Sequence, residues 1–264
     1  MKVNGKVFVV TGAGSGMGRE LTLELIKRGA QVAAVDIREQ ALLETQSLAG
    51  DRVHHFVADV TNTDAISVLP EKVLKVFGAV DGLINNAGII QPFLKIDQLS
   101  LHDVQRVLSV NFTGPLMLIK AFLPLLIGQP EAHIVNVSSM GAYAPVPGQS
   151  IYGASKAAIA QMSDGLRSEL MATNVGVTTV YPGAINTNIA ANSGITVSDS
   201  STSASAIKTT DAKVAARMMV DAIEKGKDRL YIGADSRTLN ILSRINPKVA
   251  AWLIYRNMRS LLGE

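Results

Sequence analysis

The sequence predicts a doubly wound α/β fold: one parallel sheet of about seven strands, covered by helices on both faces. Three observations predict it. Short apolar runs rich in β-branched residues alternate with stretches whose apolar residues recur at helical spacing. Several of the runs have apolar cores without strict alternation, as strands buried on both faces do. The chain is 47% hydrophobic over 264 residues, enough for one large core and too much for extended disorder. Residues 1–264 therefore read as a single domain.

The elements follow in order. "KVFVV" (6–10) is a β-branched run bounded by glycine, and "GRELTLELIKRG" (18–29) is a helix closing on Gly29. "QVAAVD" (31–36) is the second strand and "RVHHFVADV" (52–60) the third. A helix over 66–78 leads to the fourth strand, within "VDGLINNAG" (80–88). Residues 99–127 read as one long helix or two joined ones, and "HIVNVSS" (133–139) as the fifth strand. A helix opening around Tyr152, with Ser150 as its N-cap, runs through Ala-rich sequence to about Asn174. "GVTTVYPG" (176–183) is the sixth strand and "RLYIGA" (229–234) the seventh. Between them lies "ANSGITVSDSSTSASAIKTT" (191–210), too poor in large apolar residues to pack on its own.

Composition excludes several function classes. A net charge of +3, without a dense basic cluster, argues against a nucleic-acid surface. The absence of cysteine removes disulfides, thiolate metal sites and a thiol nucleophile. The four histidines, 54, 55, 102 and 133, lack metal-ligand spacing, so no metal is expected. No secretory pattern opens the chain, and the most apolar stretch, Leu116–Ile127, is interrupted by Lys120 and Pro124 and reads as a buried helix. A cytoplasmic location is the expectation.

The first strand runs into "TGAGSGMG" (11–18). Strand, glycine turn and helix together hold phosphate: glycine lets the backbone approach, and the helix start offers free N–H groups. The spacing is Gly12-x-x-x-Gly16-x-Gly18, not the G-x-G-x-x-G dinucleotide pattern. Asp36 ends the second strand, 18 residues after Gly18, where an acid binds a ribose 2′-hydroxyl and repels a 2′-phosphate. NAD is thereby favoured over NADP, with Arg38, two residues on, as the opposing charge.

Taken together, "TGAGSGMG", "NNAG" (85–88), Asn111, Ser139, "YGASK" (152–156) and "PGAINT" (182–187) resemble the short-chain dehydrogenase/reductase family in its single-domain branch, over residues 1–190. The resemblance implies a Rossmann-type fold and an NAD-dependent oxidoreductase acting on an alcohol or ketone, probed below. It implies that Gly12, Ser15, Met17 and Gly18 surround the pyrophosphate, that Asp36 holds the adenosine ribose, and that Asp59 and Val60 flank the adenine. It places Asn86, Ala87 and Gly88 along the ribose, Ile185 at the nicotinamide and Thr187 at its carboxamide. Ser139, Tyr152 and Lys156 are implied to be catalytic, with Asn111 supporting a water near the lysine. It further implies a small-molecule substrate and a homo-oligomer, dimer or tetramer.

Chemistry gives these residue types independent sense. Removing hydride from an alcohol requires that the hydroxyl proton leave too. A phenol has a pKa of about 10, and a nearby ammonium and an oxidised nicotinamide both favour the phenolate, so Lys156 is expected to tune Tyr152 together with the cofactor. Tyr152 is then the acid/base, and Ser139 binds the substrate oxygen. Ser138 and Ser139 point oppositely if both lie on a strand, and Ser139 is the one assigned to the site. Met140 and Tyr143 follow that strand and are candidates to face substrate. Two other classes, a sugar-nucleotide epimerase or dehydratase and a non-catalytic dinucleotide-binding protein, fit less well. The first needs a larger substrate domain, and the second has no need of Tyr152, Lys156 and Ser139.

Two segments remain. Residues 189–211 read as a substrate loop and lid. The tail, about 236–264, departs from the family's usual ending. From Asn246 it forms an amphipathic helix, with Asn246 as cap and Pro247 first. Ala251, Ile254, Tyr255, Met258, Leu261 and Leu262 fall on one side, and Trp252 falls among basic residues. Packing on this domain or a partner subunit is the preferred reading of that helix, with membrane contact the weaker one.

Overall fold

The computed structural model describes residues 1–187, 189–195 and 209–259. Seven strands form one parallel sheet: β1 (Val7–Thr11), β2 (Gln31–Asp36), β3 (Val53–Val57), β4 (Gly82–Asn85), β5 (Ala132–Val137), β6 (Val175–Pro182) and β7 (Arg229–Ile232), in the order β3-β2-β1-β4-β5-β6-β7. This is the doubly wound Rossmann-type order. The chain reverses direction across the sheet between β1 and β4, the switch point at which such folds bind ligands.

The strands sort their residues by face. Phe8 and Val10 of β1 join one core cluster, and Val9 between them joins another on the opposite face. Helices α1 (Gly16–Lys27) and α2 (Glu39–Ala49) follow β1 and β2, and α3 (Thr63–Phe77) follows β3. Next come α4 (Leu101–Leu108), a π-helical turn (Ser109–Thr113) and α5 (Gly114–Ile127), continuous in the chain. By length and composition 101–127 could cross a membrane, but Leu118, Phe122 and Leu126 are fully buried on the sheet. Helix α6 (Ser150–Glu169) precedes β6, the short α7 (Ile189–Asn192) follows it, and α8 (Ala212–Glu224) covers the sheet beside α1. The chain continues as α9 (Ala234–Ile245) and α10 (Pro247–Met258).

Several boundaries differ from expectation. Helix α6 ends at Glu169, five residues before Asn174, because Leu170 and Thr173 begin the turn into β6. β3 spans only Val53–Val57. The unpredicted α2 buries just Leu42 and Thr45, too little for a strong helical period. The unpredicted α8 starts directly after the polar stretch, with the Asp211 carboxylate accepting from the Lys213 N–H. In the tail, the Asn246 side chain caps α10 through the Val249 N–H, as expected. Its inward face differs, however: Ala250 and Ile254 are buried, whereas Tyr255 is exposed. Leu261, Leu262 and positions 196–208 of the expected lid lie outside the described residues.

Candidate active site

The β1–α1 turn is built by close approach. Gly12 and Gly16 adopt positive φ, +66° and +52°. A Cβ on Gly18 would fall 2.0 Å from the Gly12 carbonyl oxygen, so no larger residue fits there. The Thr11 hydroxyl accepts from the Asn86 and Ala87 N–H groups at 3.0 and 3.1 Å, and the Asn86 side chain donates back to the Thr11 carbonyl. These bonds stitch β1 to the chain leaving β4. Above the turn opens a cleft of about 600 Å³. Gly12, Ser15, Met17, Asp36, Asp59 and Val60 line one part, and Asn86, Ala87, Gly88 and Thr187 another. Gly18 and Ile185 do not line it. Gly18 serves the packing just described, and Ile185 pairs with Thr210 and rests on the core.

Asp36 sits at the end of β2. Its carboxylate accepts from the Gly14 N–H at 3.0 Å and the Arg38 N–H at 3.1 Å. The Arg38 guanidinium lies 3.5 Å from the same carboxylate and reaches away, donating to Ser15 Oγ and to Asn192 Oδ1, each at 2.8 Å. Asp59 turns inward and caps the N–H and hydroxyl of Thr61.

Ser139, Tyr152 and Lys156 meet beyond the cleft wall. β5 ends at Val137, short of the expected 139, yet Ser138 and Ser139 just beyond it still diverge, Ser139 in extended backbone. Ser138 donates to the Lys156 carbonyl, anchoring α6, whereas Ser139 Oγ accepts from the Gly141 N–H at 3.0 Å and hydrogen-bonds to the Tyr152 hydroxyl. Lys156 is buried and donates from Nζ to the Val137 carbonyl at 2.9 Å; the nitrogen is 5.9 Å from the Tyr152 ring centre. Gly88 links this group to the cleft: it lines the cleft, and a Cβ on it would lie 3.1 Å from Lys156 Nζ and 3.3 Å from Asn111 Oδ1. Asn111 projects from the π-helical turn, a widening that recurs at functional sites. It exchanges hydrogen bonds with the Ile89 backbone at 2.9 Å each way and donates to Ser155 Oγ.

Burial dominates the electrostatics of the pair within this chain. It raises the Tyr152 pKa, opposed by the Ser139 hydrogen bond. It lowers Lys156 to about 8. The Tyr143 hydroxyl bonds to Ser236 at the start of α9, tying the turn after β5 to the tail.

One residue that sequence reasoning missed is Gln91. The expected cap Ser150 is already helical, and no side chain from α6 or its flank caps the helix. Gln91, fully buried, supplies the cap: its Oε1 accepts from the Ile151 N–H at 2.8 Å and the Tyr152 N–H at 2.9 Å, and its carbonyl accepts from the Gln149 side chain. Those bonds fix which way the Gln91 amide faces, leaving Nε2 buried without a partner. The sole sequence signal was a glutamine three residues after "NNAG".

The model of the short chain dehydrogenase family matches residues 6–197. The chain belongs to the short-chain dehydrogenase family. It is 36% identical over 253 residues to SadH of Mycobacterium tuberculosis, named an oxidoreductase, covering 91% of each chain. It is 38% identical over 191 residues to the 3-oxoacyl-[acyl-carrier-protein] reductase FabG of Thermotoga maritima, covering 71% of this chain and 77% of FabG. A short-chain dehydrogenase/reductase from Burkholderia phymatum in complex with NAD superposes with a TM-score of 0.83 at 27% identity, over 93% of this chain and 96% of that one. A short-chain dehydrogenase from Burkholderia cenocepacia in complex with NADP gives 0.81 at 28%, over 96% and 99%.

As a short-chain dehydrogenase the chain is an oxidoreductase. Its site opens at the carboxyl ends of β1, β4 and β5. Among the described residues no three His, Cys, Asp or Glu side chains gather as metal ligands.

Proposed function

We propose that this short-chain dehydrogenase interconverts a secondary alcohol and its ketone with NAD, and that Tyr152 is the acid/base. The observation that carries the reading is the meeting of Ser139, Tyr152 and Lys156 behind Gly88, at the wall of a cleft sized for a dinucleotide. The residues fit such a cofactor. Gly12, Ser15, Gly16 and Met17 line the cleft at the start of α1, whose first turn offers backbone N–H groups to a pyrophosphate, while Gly18 lets the turn close on the Gly12 carbonyl. Asp36 is placed for the adenosine ribose and Lys156 for the nicotinamide ribose. Asp59 and Val60 flank the adenine, while Asn86, Ala87, Ile185 and Thr187 support the remainder. In its oxidised form the dinucleotide supplies the hydride acceptor and a positive charge.

Each protein group then has one task. Ser139, held by the Gly141 N–H, presents its hydroxyl to the substrate oxygen. In reduction the Tyr152 hydroxyl donates its proton to the ketone oxygen. In oxidation the phenolate accepts the hydroxyl proton while the carbon gives up hydride. Lys156 keeps protons beyond the one donated to Val137 and directs them at the ribose. Asn111 holds the Ile89 backbone and orders a water near the lysine. A lipophilic substrate is the proposed class.

NAD rather than NADP follows from Asp36. Its carboxylate faces the 2′-position, while Arg38 is drawn off to Ser15 and Asn192. The decisive experiment is a panel of lipophilic secondary alcohols with NAD and with NADP, followed at the NADH absorbance. Turnover with a higher kcat/KM for NAD is expected. Equal or better use of NADP overturns the assignment of Asp36, and no turnover on any alcohol or ketone overturns the reaction. The segment Ile189–Ile195 is assigned as the start of a lid, because Ile90 donates to Ser193 Oγ and Arg106 to the Ser193 carbonyl. A homo-oligomer is the proposed assembly.

A further inference from the structure

Helices α9 and α10 leave the sheet at its site end. The Asp235 carboxylate accepts from the Ala184 N–H, and Ser236 bonds to Tyr143 and to the Tyr181 carbonyl. Beyond these roots the two helices pack on each other and bury little: Ser236 in α9, Ala250 and Ile254 in α10.

Their outward faces combine two features that rarely share a solvated surface. On α10, Lys248, Val249, Trp252, Tyr255, Arg256 and Arg259 are all exposed, and at 100° per residue they fall within one half of the helix. On α9, Arg237, Ile241, Arg244 and Ile245 do the same. Ile245 is 77% exposed and Trp252 55%, far from the usual fate of such side chains. Residues 234–259 hold five basic side chains and one acid, and that acid, Asp235, is spent on the backbone. Among the described residues none of the five bases forms a salt bridge. The Arg256 guanidinium lies 4.7 Å from the Trp252 ring centre.

We infer that this helical hairpin is an interfacial element that docks the enzyme on an anionic lipid surface. Interleaved basic and bulky apolar groups suit the headgroup layer. The cations meet lipid phosphates, isoleucine and valine enter the acyl boundary, and an indole beside a guanidinium sits between the two. A second copy fits this face poorly. A two-fold contact would bring two copies of the Lys248, Arg256 and Arg259 cluster together, and among the described residues of the hairpin Asp235, held by the backbone, is the one acid. Rooted beside Tyr143 and Ala184, the hairpin would bring the site end of the sheet toward the bilayer, where a lipophilic substrate partitions. The docking itself does not rest on the proposed reaction.

Trp252 is the chain's one tryptophan, so its emission reports on this face directly. The full chain is mixed with vesicles of phosphatidylcholine, and with vesicles carrying about one third phosphatidylglycerol; emission and co-sedimentation are read. The expected result is a blue shift and at least about tenfold tighter partitioning on the anionic vesicles, reversed by salt. Two charge-reversal pairs, R244E/R256E and K248E/R259E, should each abolish the shift, and circular dichroism checks that each folds. Unchanged emission and no pelleting with either vesicle overturns the inference. So does equal binding to neutral vesicles. A lipid-independent shift that grows with protein concentration, with a doubled mass, assigns the face to a second copy and overturns it as well.

Discussion

A buried ammonium loses hydration that one carbonyl replaces only in part, and Lys156, with a pKa of about 8, shows that cost. The folded value lies below the ordinary one near 10.5, so over the interval between them the unfolded chain binds more protons, and stability rises with pH. The wild type should therefore gain about 2 kcal/mol relative to Lys156→Met between about pH 7.5 and about pH 9.5. Urea unfolding at the two pH values checks this; a pH-independent difference would mean the lysine is not desolvated. Tyr152→Phe keeps the ring and removes the proton. Turnover should fall at least about 100-fold with NAD affinity unchanged, measured by steady-state kinetics and calorimetry. Retained turnover would sink the acid/base role. Residue types were legible because chemistry limits them: a phenol four residues before an amine, and one of two adjacent serines chosen by strand alternation. The burial of Tyr152 and Lys156 was not legible, because spacing carries no measure of it.

At the scale of the element, helix α6 is held from outside. Its first free N–H groups belong to Ile151 and Tyr152, and Gln91 binds both. Gln91→Met removes the acceptor while keeping length. It should lower stability by about 1–2 kcal/mol, a cap's ordinary worth, and reduce kcat more than it raises KM as Tyr152 loses its fixed position. Gln91→Glu keeps an acceptor at the same reach and should restore most of kcat. If both variants lose only stability, the cap has no bearing on Tyr152. The alternation of strands and helices was readable because burial imposes period and composition together: Val7–Val10 and Val32–Val35 are unbroken apolar runs. Helix α2 escaped because it buries two residues. The Gln91 cap escaped because it arises between segments 60 residues apart in the chain, a distance that local pattern does not cross.

For the whole molecule, the site is assembled from chain segments that must also open. The Ile189–Ile195 segment reaches Arg38 and Ser15 through Asn192, and Ile90 and Arg106 through Ser193. Hydrogen exchange there should slow when NAD and a substrate analogue bind together; no change at saturation would make it a passive loop. The parallel, doubly wound sheet of about seven strands followed from the sequence pattern, whereas its strand order and the contacts of this segment depend on tertiary closure that local pattern does not encode. Four consecutive residues meet the parts of the site in turn. Gly88 adjoins Lys156, Ile89 pairs with Asn111, Ile90 holds Ser193, and Gln91 caps the helix of Tyr152. They work as a machinist's jig, with each notch cut for a different piece. Adding or deleting one residue between 88 and 91 would shift those notches past the pieces they hold, so grafts that exchange loops among related enzymes should keep this span at its present length and join beyond Pro92.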